Sequence, residues 1–212
     1  MSADDSFKQK LTGVVLAHIT DCKGLVSVDR LSGGASQETY RLVVATSVGE
    51  KRLALRRTPG GEYAEITPQH PSLDVEALLM QSALAVGVPE PEVYYVLQRE
   101  DELGDGFLME WLDGEALGAR IVRSPEFEAI RPKLAYECGR VLAKIHSIDL
   151  DATGLRERLW EIPPAEFVEQ TWERYRLLDT PQPMIDYVAC WLMENLPEQH
   201  ETALVHNDFR NG

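Results

Sequence analysis

Apolar residues Leu11, Val14, Val15, Ala17 and Ile19 recur at helical spacing and predict an amphipathic helix within residues 5–22. The period then shortens. Leu25-Val26-Ser27-Val28-Asp29-Arg30-Leu31, Thr39-Tyr40-Arg41-Leu42-Val43-Val44 and Arg52-Leu53-Ala54-Leu55-Arg56 are strand-like runs divided by Gly- and Ser-bearing turns. Strands joined this closely pair antiparallel, because parallel neighbours need a crossover of a dozen or more residues. Pro59, Gly60, Gly61, Pro68 and Pro71 make residues 58–71 a loop. Ser72 then offers an N-cap to a helix whose apolar positions are Val75, Leu78, Leu79 and Ala83, and which Gly87, Pro89 and Pro91 stop. Two more strands, 93–97 and 106–111, flank an acidic turn. After Asp113-Gly114 the period is helical again: Leu134, Cys138, Val141, Leu142 and Ile145 form one stripe, with Pro132 tolerated in its first turn. Further helices are predicted over 165–178 and 183–195, with apolar positions that expect packing partners outside these residues. The chain therefore reads as α+β in two lobes: a mostly-β lobe over residues 1–112, a hinge at Leu112-Asp113-Gly114, and a helical lobe over 113–212.

Composition narrows the partners. The 212 residues carry a formal net charge of -14, which repels phosphate backbones and argues against a nucleic-acid partner. An acidic surface of this kind aids solubility and also suits a cationic small substrate. Cys22, Cys138 and Cys190 are far apart and odd in number, without ligand spacing, so no disulfide framework or zinc site is expected. The N-terminus is acidic where a signal peptide is basic, and no long apolar run follows, so a cytoplasmic protein without a membrane span is expected.

Several positions can carry chemistry. In Ser32-Gly33-Gly34-Ala35-Ser36, Gly33 and Gly34 would let backbone N–H groups approach an anion, and the Ser36 hydroxyl would add a donor; a ligand-free hairpin turn is the alternative. Arg56, at the end of a strand, could hold phosphates, with Glu76 on the next helix orienting it as an ion pair. The competing reading makes Arg56 and Arg57 charges guarding an edge strand. Met109, Glu110 and Leu112 lead into the hinge, where the Glu110 carbonyl and Leu112 N–H could meet an adenine edge and Met109 could pack behind the base. His146 extends an apolar helical stripe and reads as a core residue rather than a base. Asp208 stands in His206-Asn207-Asp208 after the apolar run Ala203-Leu204-Val205. A carboxylate there would orient an acceptor hydroxyl and take its proton late, while His206 holds the loop.

With those residues in order, the chain resembles the aminoglycoside phosphotransferase-like branch of the protein-kinase-like fold. The resemblance runs through the Ser32-to-Ser36 turn, Leu55-Arg56-Arg57-Thr58-Pro59-Gly60, Glu76, Gly87-Val88-Pro89-Glu90-Pro91, the hinge, Leu142-Ala143-Lys144-Ile145-His146 and the Asp208 loop. The Arg-Arg-x-Pro-Gly and Gly-Val-Pro-x-Pro strings look most like phosphotransferases related to the N-terminal domain of some acyl-CoA dehydrogenase fusions. The resemblance implies an antiparallel β lobe with one helix packed on it, ATP with Mg2+ as cofactors, and transfer of the γ-phosphoryl to a hydroxyl of a small molecule. The chain departs from the pattern at Arg56, where Lys is more general, and at Asn207, where Gly is usual. It also stops at Gly212, before the catalytic-loop Asn and the later metal-binding Asp, so no metal ligand is assigned, the helical lobe is expected to be incomplete, and this length of chain is expected to have negligible kinase activity. A non-catalytic nucleotide-binding or regulatory module of the same fold is the alternative. A kinase of protein substrates fits less well, because no Gly-x-Gly-x-x-Gly or His-Arg-Asp string occurs.

Overall fold

The computed structural model describes residues 3–31, 37–63 and 71–209. Helix α1 (Ala3–His18) comes first, and Asp21, in the left-handed region at φ 60°, ends the turn after it. Strands β1 (Gly24–Arg30), β2 (Glu38–Thr46) and β3 (Gly49–Arg57) form the expected antiparallel meander. Helix α2 (Leu73–Ala85) and strands β4 (Val93–Val96) and β5 (Gly106–Glu110) complete this lobe. The sheet order is β1-β2-β3-β5-β4, all antiparallel, so β5 inserts beside β3 and leaves β4 at the edge.

Both faces of the sheet are covered. Leu11, Val14 and Val15 of α1, with Ile19 just beyond it, pack on Leu42, Val44, Leu53, Leu55 and Leu108. On the other face, Leu73, Ala77 and Met80 of α2 pack on Phe107, Val93, Val96 and Met109. Side chains alternate along a strand, so Leu53, Leu55 and Arg57 of β3 face α1 while Arg56 faces α2. Ser72 occupies the N-cap position of α2, but its hydroxyl donates to the Asp74 carboxylate and the expected side-chain cap is not made.

The second lobe holds α3 (Gly118–Arg123), α4 (Arg131–His146), α5 (Pro164–Arg176) and α6 (Pro183–Glu194). Only the C-terminal part of α4 is packed: Val141, Leu142 and Ile145 join Ile148, Leu155 and Leu204 against Val75, Ala83 and Val88 of the first lobe. Cys138 and His146 are exposed, so the stripe is shorter than its spacing suggests and His146 is not a core residue. Helices α5 and α6 pack on each other, joined by a bond from the Trp172 indole N–H to Asp186 (2.8 Å). Met184, Tyr187, Val188 and Trp191 of α6, at spacing i, i+3, i+4, i+7, are exposed and form an outward apolar face.

Candidate functional site

Strand β3 lies between β2 and β5, so neither Arg56 nor Arg57 guards an edge, and alternation gives the two arginines different surroundings. Arg56 meets α2: its Nε lies 2.8 Å from Glu76 Oε1, with the side chains 35% and 31% exposed. The contact is an ion pair off the N–H axis rather than an aligned hydrogen bond. Burial pushes the Glu76 carboxyl above its ordinary value, and Arg56 works against that push without cancelling it. Among the described residues Glu76 is the one ion-pair partner of Arg56. A half-open guanidinium oriented by a single carboxylate can still donate to phosphate oxygens.

Arg57 points the other way. Its guanidinium is bonded to Glu38 (Nε, 3.0 Å), the Tyr40 hydroxyl (3.1 Å) and the Leu103 carbonyl (3.4 Å), under the Phe7 ring. A cavity of about 420 Å³ adjoins this cluster, lined among others by Ser6, Lys10, Arg30 and Gly61. Its charged groups are already matched: Arg57 and Arg30 with Glu38, and Lys10 with Glu102. The cavity lies across the sheet from Arg56 and, among the described residues, offers a phosphate no uncommitted cation.

Beyond β5 the hinge backbone is open. From Trp111 to Gly114 no backbone-to-backbone hydrogen bond is formed outside the strand ladder among the described residues, and the Leu112 side chain is exposed. Glu110 still belongs to the sheet, its N–H donating to the Glu92 carbonyl (2.8 Å). Met109 packs between sheet and α2. Asp113 is clamped by both terminal nitrogens of Arg52 (Nη1 to Oδ1, 2.8 Å) and by the Trp111 indole N–H (3.0 Å). The Arg52 guanidinium, with Trp111, holds the Asp113 carboxyl below its usual range. Nothing local in the sequence pairs Arg52 with Asp113; the even spacing of Arg52 and Arg56 along one strand face was the available signal.

Asp208 follows an extended segment anchored by Leu204, which packs in the same cluster as Val75, the neighbour of Glu76. The Asp208 N–H donates to His206 Nδ1 (3.4 Å), and the His206 ring stands edge-on to Phe209. His206 thus closes the loop back on itself, as expected. Burial pushes the Glu90 carboxyl up, opposed by the His206 ring, which sets the Gly87-to-Pro91 turn facing this loop. The Asp208 side chain is exposed. Gly33, Gly34 and Ser36 lie outside the described residues. Among the described residues no three His, Cys, Asp or Glu side chains converge to hold a metal ion, and no helix is long and apolar enough to cross a membrane.

Comparison with known proteins agrees with this layout. A family model described as "Phosphotransferase enzyme family" matches residues 27–212. Acyl-CoA dehydrogenase family member 10 of Mus musculus is 30% identical over 97% of this chain, and family member 11 of Rattus norvegicus is 26% identical over 90%. The chain spans only 18% and 24% of those proteins. A crystal structure from Ralstonia eutropha, provisionally designated an aminoglycoside phosphotransferase, superposes with a TM-score of 0.68 at 23% identity, covering 90% of this chain and 54% of that one. That likeness establishes the fold: an antiparallel β lobe and a helical lobe arranged as in kinase-like phosphotransferases.

Proposed function

Because this chain belongs to the phosphotransferase enzyme family, we propose that it binds ATP and directs the γ-phosphoryl group to a hydroxyl of a small molecule in the cytoplasm. The observation that carries this is the Arg56–Glu76 pair on the same sheet face as the open hinge. Arg56 would hold the phosphates and Glu76 would hold Arg56. The Leu112 N–H and Glu110 carbonyl would seat the adenine edge, with Met109 behind it. Asp208 would orient the acceptor hydroxyl and take its proton as the new O–P bond forms and the bond to the leaving ADP oxygen breaks. Mg2+ bound with ATP would neutralise charge on the phosphates; the described residues include no metal-holding cluster. The longer relatives are named for dehydrogenase chemistry, and this chain matches 18% and 24% of their length.

Calorimetric titration with MgATP tests the reading. Arg56→Ala should weaken binding at least tenfold, as expected for loss of a charge-assisted contact of about 1.5–3 kcal/mol. Thermal unfolding should move little, because the half-exposed pair contributes only about 0.2–1 kcal/mol. Equal MgATP affinity in the two proteins would overturn the assignment. If the 212 residues bind MgATP yet a longer chain gives the same low turnover with and without the Asp208→Asn substitution, the non-catalytic binding module is the better description.

A further inference from the structure

We infer that Arg158 is a positioning residue for the phosphate-binding arginine, acting through the first turn of α2; this rests on the nucleotide reading of Arg56 and Glu76 above. Helix α2 is held between two clusters. Leu73, Ala77 and Met80 face the sheet, whereas Val75, Leu78, Leu79 and Ala83 face Ile145, Ile148 and Leu155 of the helical lobe. Glu76 lies in the first turn and closes an opening hydrogen bond of the helix, from its N–H to the Ser72 carbonyl (2.9 Å).

A first turn is where a helix frays, because its leading N–H groups have no partner within the helix. Here the usual remedy is absent, since the Ser72 hydroxyl donates to Asp74 and its oxygen accepts from no backbone N–H. Asp74 gathers the turn instead. Its carboxylate accepts the Ser72 hydroxyl and Arg158 Nη2. Burial works to raise the Asp74 carboxyl, but the bonds from Ser72 and Arg158 outweigh it and hold the group below its usual range. Arg158 itself sits between Leu155, fully buried, and Leu159, which packs on the same cluster. The ion pair spans 84 residues of sequence and ties the helical lobe to the turn that carries Glu76. The Lys144 ammonium, bonded to the Gly87 carbonyl, fixes the other end of α2 to the same lobe. Releasing Arg158 therefore loosens Glu76 and, through it, the aim of Arg56.

Both ends of the pair are partly exposed, 42% and 45%, so solvent screens it and its effect is bounded at about fivefold, the equivalent of about 1 kcal/mol. The test measures MgATP and adenosine affinities by calorimetry, together with amide exchange across 73–77, for the original chain, Arg158→Ala, Asp74→Asn, the double variant and Arg158→Lys. Expected is a roughly three- to fivefold loss of MgATP affinity in each single alanine or asparagine variant. The double variant should lose no more, because both substitutions break one contact. Arg158→Lys should recover most of the loss, adenosine affinity should be unchanged, and exchange at Val75 and Glu76 should quicken. At salt near 1 M the affinities of the original chain and Arg158→Ala should converge. Unchanged MgATP affinity, or an equal fall for adenosine, overturns the proposal and leaves the nucleotide reading standing. No MgATP binding by the original chain overturns both.

Discussion

Replacing Arg57 by alanine separates the structural arginine of β3 from its functional neighbour. Arg57 is 9% exposed and Glu38, its register partner on β2, is 6% exposed. Removing the guanidinium leaves the Glu38 carboxylate buried without its main counter-ion, a change that costs about 3–5 kcal/mol. Arg30 (3.1 Å), the Tyr40 hydroxyl (2.9 Å) and the Gly60 N–H still face that carboxylate, which sets the expected loss at the lower end, about 3 kcal/mol. In a chain of this size about 1 kcal/mol moves Tm by roughly 2–4 °C, so a fall of roughly 6–12 °C is expected. The pH dependence has a defined sign. Burial pushes the Glu38 carboxyl up, but bonds from Tyr40, the Gly60 N–H and Arg57 outweigh it, and the folded-state value is lowered. A lowered value stabilises the fold at neutral pH, and this contribution fades as acid is added through the lowered range. Without Arg57 burial dominates, so the gap between Arg57→Ala and the original chain should narrow in acid. Thermal unfolding followed by circular dichroism at neutral pH and near pH 4 checks both points. A Tm within about 2 °C of the original, or a gap that widens in acid, refutes the reasoning.

Two further outcomes are expected. Burial raises the Glu76 carboxyl in the folded state, so that contribution favours folding in acid and is lost as pH rises through the raised value; Glu76→Gln should therefore be no less stable than the original at neutral pH while binding MgATP more weakly, and urea midpoints that fall at neutral pH would contradict this. Gly104 has φ 82°, and a Cβ there would lie 2.3 Å from the Gly61 carbonyl carbon, so Gly104→Ala should destabilise by about 2–4 kcal/mol, measured by urea unfolding, with an unchanged midpoint as the contrary result.

Local periodicity made most elements legible. The alternation in Leu53-Ala54-Leu55-Arg56 marks a strand and already implies that Arg56 and Arg57 part company. The sheet order was less accessible. Phe107, Leu108 and Gly106 are buried on both faces, which suits β5 to an interior position, whereas Val93-Tyr94-Tyr95-Val96 is only half-buried and takes the edge; sequence proximity favours no such insertion. Helix α3 is too short to show a period. The Arg56–Glu76 pair was predicted from a strand-end cation and an acidic residue on the following helix, a pairing that phosphoryl transfer calls for. Arg52–Asp113, Arg57–Glu38 and Arg158–Asp74 were not, because an ion pair 61, 19 or 84 residues apart leaves no periodic trace and depends on how packed elements meet. The Ser72 cap failed for a related reason: a carboxylate two residues on, itself held by the other lobe, binds the hydroxyl, whose oxygen then accepts from no backbone N–H.

The central claim is that phosphates bind on the α2 face of β3. Nitrogen-15 spectra of the chain resolved for arginine Nε–H and backbone amides, recorded during MgATP titration, test it most directly. Saturable shifts at Arg56 Nε and at the Leu112 amide are predicted, with adenosine moving Leu112 alone and Arg57 still in both titrations. Shifts at Arg57 and Phe7 with Arg56 unmoved would contradict it, placing the ligand in the cavity across the sheet.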